Sequence, residues 1–417
     1  MRGGRVAVVG GSIAGCAFAS AAARAGAGEV VVLERTSGQL ADRGVGLAIH
    51  DDRAAELAGT GVLAPGIAAH RLTRRKWLVQ DGDSRTGRVM WDQPFPFHSY
   101  HWGLLWRGMR AATPAGVDYR QGAAVESVRG YADRAEVRLA DGSVERFDLV
   151  VGADGYRSVV REAVCPGARP SYAGYICWRG SYPADRLAAL GTPADGGTDW
   201  PTTDAVTVGI PGGSCVIYRI PGPDGPMVNW VCYAVPPETG LRLDDPTSLP
   251  PGGVTGELAA HLAWLAQRWF PPYWVGVIGL TPPERTFVQP IYDLETELTV
   301  GERLLLAGDA ASVVRPHNTS GAAKALQDAT AFEAAWRQAD SWDGLLRSYQ
   351  AARGATGREL VALARRLGLA QAERTPDWSA MTEPAMTAWW RQQLDGVADI
   401  GGQALPPTRE SVPEAPR

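Results

Sequence analysis

The chain has 417 residues, of which 45% are hydrophobic and 21% charged, with a net charge of −4. That length supports two or three domains with sizeable cores, and the slight acidity excludes the basic footprint of a nucleic-acid binder. No apolar run reaches the roughly eighteen residues of a membrane span, so a cytoplasmic protein with neither a membrane nor a nucleic acid as partner is expected.

Cys16, Cys165, Cys177, Cys215 and Cys232 are odd in number, widely spaced and without a Cys-x-x-Cys pair. They argue against a disulfide framework or a zinc site. His98 and His101 in "HSYH" have no third ligand nearby, so no metal is expected.

The N-terminal "MRGGRVAVVGGSIAGCAFASAAARAGAG" has the basic start and small apolar residues of an export signal. Glycines interrupt it, however, and it runs directly into "EVVVLER", so a strand–turn–helix–strand unit is the better reading. "RVAVV" is a buried parallel strand, "GGSIAG" a tight turn, and 14–24 a helix of small residues. "GVGLAIHDDRAAEL" is a glycine-rich turn leading towards a helix. "KWLVQDGDSRTGRVMWDQPFPF" predicts a hairpin with Asp-Gly turn chemistry. "WGLLWRGMRAAT" is a helix, and the segment ending "DLVVGADG" is a β-meander closing on a buried strand. Residues 170–285 are strand-rich, interrupted by one helix, "GELAAHLAWLAQRWF". "ERLLLAGDAA" returns to a buried strand, and helices are predicted over 321–339 and 342–369. The tail, rich in Pro, Glu and Gln, is expected to wrap the surface or fray.

Three motifs carry chemistry. In "VVGGSIAG", Gly10 permits a tight turn, Gly15 lets a helix pack on a strand, and Ser12 is small enough for a pyrophosphate to approach the helix N-terminus. Glu34 ends the next strand, where a carboxylate accepts from an adenosine ribose, as FAD and NAD both require. The second motif, "VVGADGYRSVVRE", places Asp154 and Gly155 after a buried strand; Asp154 either caps the next helix or serves a cofactor. The third, "LLLAGDAASVVRPHNTSGAAKA", places Gly308 and Asp309 after a strand and breaks at Pro316 before a helix near Gly321. A helix N-terminus there favours negative charge.

In this order and spacing, over residues 5 to about 370, the motifs resemble those of the single-component FAD-dependent aromatic hydroxylases. "PSYAGYICWRG" and "RPHNTSGAAKA" are similar to the 2,6-dihydroxypyridine 3-hydroxylase-like subgroup; the tail and 185–205 match less well. The resemblance implies an α/β fold: a Rossmann-like FAD-binding domain, discontinuous over 1–75, 101–168 and 286–370, with an inserted β-sheet substrate domain from 76–100 and 169–285, and a tail at 371–417. With only one complete nucleotide-binding unit, the Asp154 turn would serve FAD and, transiently, NADH or NADPH.

It also implies that reduced flavin and O2 give an electrophilic flavin hydroperoxide, which hydroxylates an electron-rich aromatic substrate, a hydroxypyridine or a phenol or polyketide ring. Halogenase and reductase chemistry on the same fold, and a non-catalytic flavin scaffold, are the alternatives; the halogenase Trp-x-Trp motif is absent from the sequence. FAD would be held by Gly10, Gly11, Ser12, Ile13, Ala14, Gly15, Glu34, Arg35, Arg43, Leu47, Arg107, Asp154, Gly155, Gly308, Asp309, Pro316, Thr319, Ser320, Gly321 and Ala322. His317, titrating near neutral pH, would polarise a ring hydroxyl or brace the loop. Trp178, Tyr218, Trp230 and His50 would line the substrate pocket, or simply pack the sheet. A homo-oligomer is the expected assembly.

Overall fold

The computed structural model describes residues 3–38, 45–191, 200–238 and 253–396. The first half contains β1 (Arg5–Val9), α1 (Ile13–Arg24), β2 (Glu29–Glu34), β3 (Gly46–His50), α2 (Asp51–Gly59), β4 (His70–Val79), β5 (Arg88–His101), α3 (Trp102–Ala111), β6 (Val117–Gln121), β7 (Val125–Gly130), β8 (Ala135–Leu139), β9 (Val144–Phe147), β10 (Leu149–Gly152) and α4 (Val159–Val164). It continues through β11 (Ser171–Pro183), β12 (Asp204–Ile210), β13 (Gly213–Gly222), β14 (Gly225–Ala234), α5 (Gly256–Trp269), α6 (Pro272–Gly279), β15 (Thr286–Asp293), β16 (Val300–Gly301), β17 (Leu304–Leu306), α7 (Gly321–Gln338), α8 (Trp342–Gly368) and α9 (Glu383–Leu394).

A six-stranded sheet runs β16-β17-β10-β1-β2-β6. All its pairings are parallel except that of the edge strand β16. Its central strands read as unbroken apolar runs because both faces are covered. On one side lie α1, α3, α7 and α8; on the other lie α4 and the β7-β8-β9 meander. The alanines of α1 leave room for α7 to approach, and Phe18 meets Phe332 with ring centroids 5.1 Å apart.

The second sheet has eight strands in the order β15-β11-β14-β13-β12-β4-β5-β3. Period-2 alternation divides its side chains between two buried faces. One face, with Ile176, Trp178, Ile217, Trp230 and Cys232, packs under α5 and α6. The opposite face carries Tyr175, Cys177, Val231 and Tyr233, continued by Phe95, Phe97, Ala48 and Tyr218.

Three features differ from the sequence reading. Gly46–His50 and the start of β4, assigned above to the FAD-binding part, pair in the eight-stranded sheet, with Gly46 opposite His101 and His70 opposite Ser99. A second helix, α6, lies within the region read as strand; Pro272 stands at its first turn, where its missing N–H costs nothing. The C-terminal segment does not fray as far as Leu394. Met386, Trp390 and Leu394, spaced four apart on α9, bury one face against Trp77, Trp91 and Trp378.

Candidate active site

The three turns of the sequence motifs converge, because β1, β10 and β17 are adjacent parallel strands and each turn leaves a C-terminal strand end. Such strand ends are where open α/β sheets bind ligands. The contact is close. Gly10 has φ +96°, and a Cβ there would lie 2.5 Å from the Ala153 carbonyl oxygen and 2.8 Å from Asp154 Cα. A Cβ on Gly15 would lie 1.9 Å from the Gly10 oxygen, so only glycine lets α1 start against this turn. Ser12, Ile13 and Ala14 form the start of α1, whose first amides lack intrahelical partners and suit an anion.

Glu34 is buried. Its Oε2 accepts from the Gly11 amide at 2.7 Å and Oε1 from the Thr36 amide at 2.8 Å. The carboxylate therefore braces the first turn and retains lone pairs for a ribose hydroxyl. Tyr119 Oη and Trp106 Nε1 donate to the Gly11 oxygen at 2.7 and 2.9 Å, holding the loop from the other side. Arg35 is exposed beside Glu34, and Arg107 is exposed on α3 next to Trp106. Arg43 lies outside the described residues.

Asp154 caps α4: Ser158 Oγ and the Val159 amide donate to it at 2.5 and 2.7 Å. Its carboxylate is thus committed to the helix, and Gly155, with φ +77°, carries the turn. Arg161, buried on α4, ties this turn to the third by donating to the Ala310 and Tyr156 oxygens at 3.2 and 2.5 Å.

Gly308 is fixed by a buried network. Its amide donates to Asp328 Oδ2 at 2.9 Å, and its oxygen accepts from Lys324 Nζ at 2.7 Å. Arg353 Nε meets Asp328 Oδ1 at 2.7 Å. Burial alone would raise the Asp328 carboxyl, but Lys324 and Arg353 outweigh it and hold it below its usual value. Asp309 is the opposite case: among the described residues its carboxylate has no hydrogen-bond partner, and the side chain is exposed. Surrounding protein pushes its carboxyl up, against Lys324 and Arg161. Because the side chain is exposed rather than packed into the interior, solvent weakens that push, and the group is free to accept a ligand hydroxyl.

The loop after β17 leads from exposed Pro316 through His317 and Asn318 to Thr319, which adopts φ +53°, a conformation β-branched residues rarely take. Asn318 holds it in place, accepting the Ser320 amide at 3.2 Å and donating to the Leu360 oxygen at 3.2 Å. Gly321 and Ala322 then open α7, an 18-residue helix. Leu47, half-buried on β3, packs on the α/β core, while Asn229 Oδ1 and Arg179 Nη2 clasp the Gly46 amide and oxygen at 2.8 and 3.1 Å. The strand carrying Leu47 is thereby fastened to the substrate sheet.

His317 is 5% exposed, with Nε2 2.9 Å from Tyr175 Oη and its ring 4.1 Å from that of Tyr233. Burial, reinforced by Arg315 and Arg75, pushes its pKa down to about 3. It does not titrate near neutral pH as expected for an unperturbed histidine; it is a neutral brace between loop and sheet. Of the proposed pocket residues, Tyr218 lies on the sheet face turned to His317. Trp178 and Trp230 lie on the other, under α5 and α6, where Trp230 Nε1 donates to Thr281 Oγ1 at 2.7 Å. His50 caps α2, its Nδ1 accepting the Asp52 amide at 3.2 Å. Among the described residues no group of three His, Cys, Asp or Glu side chains could hold a metal, and no helix is long and apolar enough to cross a membrane.

The sequence reading placed Arg161 on the helix after the Asp154 turn without a role, and missed Tyr175, Tyr233, Asp328 and Arg353. Asp328 could have been found as the i+4 partner of Lys324 on a predicted helix; Arg353 reaches it from another helix, which no local pattern reports.

No family model matches the chain. It is 28% identical over 361 residues to the 2,6-dihydroxypyridine 3-monooxygenase of Paenarthrobacter nicotinovorans, covering 83% of this chain and 86% of that protein. It is 30% identical over 336 residues to a 3-amino-4-hydroxybenzoate 2-monooxygenase of Streptomyces platensis, covering 78% and 77%. The solved structure of 2,6-dihydroxypyridine-3-hydroxylase from Arthrobacter nicotinovorans matches with a TM-score of 0.75 at 23% identity, covering 91% of this chain and 96% of that one. Klebsiella pneumoniae HpxO complexed with FAD and uric acid matches at 0.73 and 21% identity, covering 94% and 93%. The two structures speak for the fold; the sequence relatives, covering three quarters or more of each chain, place this protein in the family of FAD-dependent aromatic monooxygenases.

Proposed function

We propose that this chain hydroxylates an electron-rich, hydroxyl-bearing aromatic ring, a hydroxypyridine in the first instance, with NADH or NADPH as transient reductant and O2 as co-substrate. The observation that carries the reading is the meeting of three strand-end turns beside a loop that faces a tyrosine-lined sheet. The likeness to a 2,6-dihydroxypyridine 3-monooxygenase supports the ring class.

The residues present fit FAD. The opening amides of α1 suit its pyrophosphate, Glu34 a ribose hydroxyl, and the unpartnered Asp309 carboxylate a ribityl hydroxyl. When bound, FAD supplies the storage of two electrons and the activation of oxygen. The chain supplies position and environment. The N-terminus of α7 favours negative charge. Tyr175, Tyr233 and Val231, all buried, form a wall from which water is excluded. His317 fixes the Tyr175 hydroxyl and couples the loop to the sheet.

The purified protein should be yellow, and its oxidation of NADH or NADPH should accelerate, with oxygen uptake, for at least one member of a panel of hydroxypyridines and phenols. Colourless protein that takes up no added FAD, or a rate indifferent to every ring, tells against the reading.

A further inference from the structure

Gly11 stands in the first turn without the positive φ of its neighbour Gly10, so its backbone is open to any residue. What forbids a side chain there is Tyr119. A Cβ on Gly11 would lie 2.1 Å from Tyr119 Oη and 2.5 Å from its Cζ. Tyr119 reaches this point from β6, the strand beside β2, and Trp106 reaches it from α3. Both donate to the Gly11 oxygen, at 2.7 and 2.9 Å, and so occupy its two lone pairs. Cys16 Sγ adds a longer third contact at 3.5 Å. The Arg110 guanidinium stacks over the Tyr119 ring, 4.0 Å from its centroid, and steadies it. The preceding peptide is held separately, by the bond from the Gly11 N–H to Glu34 Oε2 at 2.7 Å. Side chains from β2, α3 and β6 therefore fix two consecutive peptide planes. In a planar trans peptide the C=O and the next N–H point in opposite directions. Holding the Gly11 oxygen against the two rings thus turns the Ser12 N–H away from them. Ser12 is half-buried and caps α1, whose opening amides suit an anion.

We propose that Tyr119 and Trp106 are positioning residues for the dinucleotide. They set the Gly11–Ser12 peptide so that the Ser12 amide is aimed at the pyrophosphate before FAD arrives. Gly11 is then glycine for the sake of Tyr119, not because the cofactor approaches its Cα. Donors already in place spare the cofactor the cost of ordering them. The proposal rests on FAD as the cofactor. It adds to the glycine-rich turn two residues that lie 95 and 108 positions further along the chain.

The test measures binding to apoprotein by quenching of flavin fluorescence, for wild type, Tyr119→Phe, Trp106→Phe and the double variant. Riboflavin, which lacks the pyrophosphate, is the control. Each single change should weaken FAD by about threefold to tenfold, the worth of one hydrogen bond. The double variant should lose more than the product of the two, because either ring alone still holds the carbonyl. Riboflavin should bind all four proteins alike. In FAD-loaded protein, the 31P resonances of the pyrophosphate should move in both single variants. Gly11→Ala should weaken FAD about tenfold or more in the wild type and little in Tyr119→Ala, where the Cβ has room. FAD and riboflavin that weaken together would show the rings to be merely structural. Unchanged FAD affinity with unmoved 31P resonances, or Gly11→Ala equally costly in both backgrounds, would also overturn the proposal. Wild-type protein that binds no FAD sinks the flavin reading and the proposal with it, whereas variants equal to a wild type that binds FAD sink the proposal alone.

Discussion

Asp309 and His317 sit a few residues apart and make opposite uses of their surroundings. The Asp309 carboxylate is exposed and, among the described residues, accepts no hydrogen bond. Its loss should cost the protein little stability and the cofactor much. Asp309→Ala is expected to weaken FAD binding by roughly tenfold to a hundredfold, the worth of a hydrogen bond to a charged group. Quenching of flavin fluorescence on titration measures this, and an unchanged dissociation constant would refute the assignment. His317 is closed off. The unfolded chain takes up a proton near the ordinary 6.5, while the folded chain refuses it until about pH 3. The contribution is therefore complete above 6.5 and is lost progressively as pH falls towards 3. His317→Gln keeps a group able to hydrogen-bond Tyr175 but cannot titrate. Its urea midpoint should fall less between pH 7 and pH 4 than that of the wild type; parallel curves would show that the ring is not held neutral.

At the scale of elements, α7 and α8 were legible almost to the residue, because apolar spacing, Gly321 at the start of α7 and Ser341 before α8 all agree. The strands of the second sheet were legible as strands and in their alternation. Which of their two faces meets the His317 loop was not, because both are buried. Trp178 and Trp230 attracted attention as large aromatics, yet Tyr175 and Tyr233, one parity away, face His317. The third motif was legible as a turn, but its scaffold spans two helices. Lys324→Met would strip Asp328 and the Gly308 oxygen of a buried partner. It should cost about 3 kcal/mol of stability and loosen FAD; denaturation with and without added FAD reads both, and a variant equal to wild type in both would show the network to be idle. In α9, Trp390 is fully buried among Trp77 and Trp91. Trp390→Ala should cost about 3–5 kcal/mol, against almost nothing if the segment were a frayed tail.

For the whole molecule, the three motifs lie far apart in sequence, yet the strands that lead into them, β1, β10 and β17, pair side by side in one sheet. The boundary was misread at β3 and β4. "GLAIH" contains the apolar run of a core strand, and nothing local reveals that its partner is β5 rather than β2. That strand matters to the architecture. Gly46 is clasped by Asn229 and Arg179 from the substrate sheet, while Leu47 packs on the α/β core, so the two parts share a wall at β3. One site built from both parts is the requirement for passing oxygen from a cofactor in one to a ring held by the other. Turnover under 18O2 with NADH and the hydroxypyridine and phenol panel, read by mass spectrometry of the product, tests this most directly. The expected result is a product carrying one 18O atom, formed only when FAD, NADH (or NADPH) and O2 are all present. Oxygen drawn from water, or cofactor oxidation that leaves every ring unchanged, would contradict it.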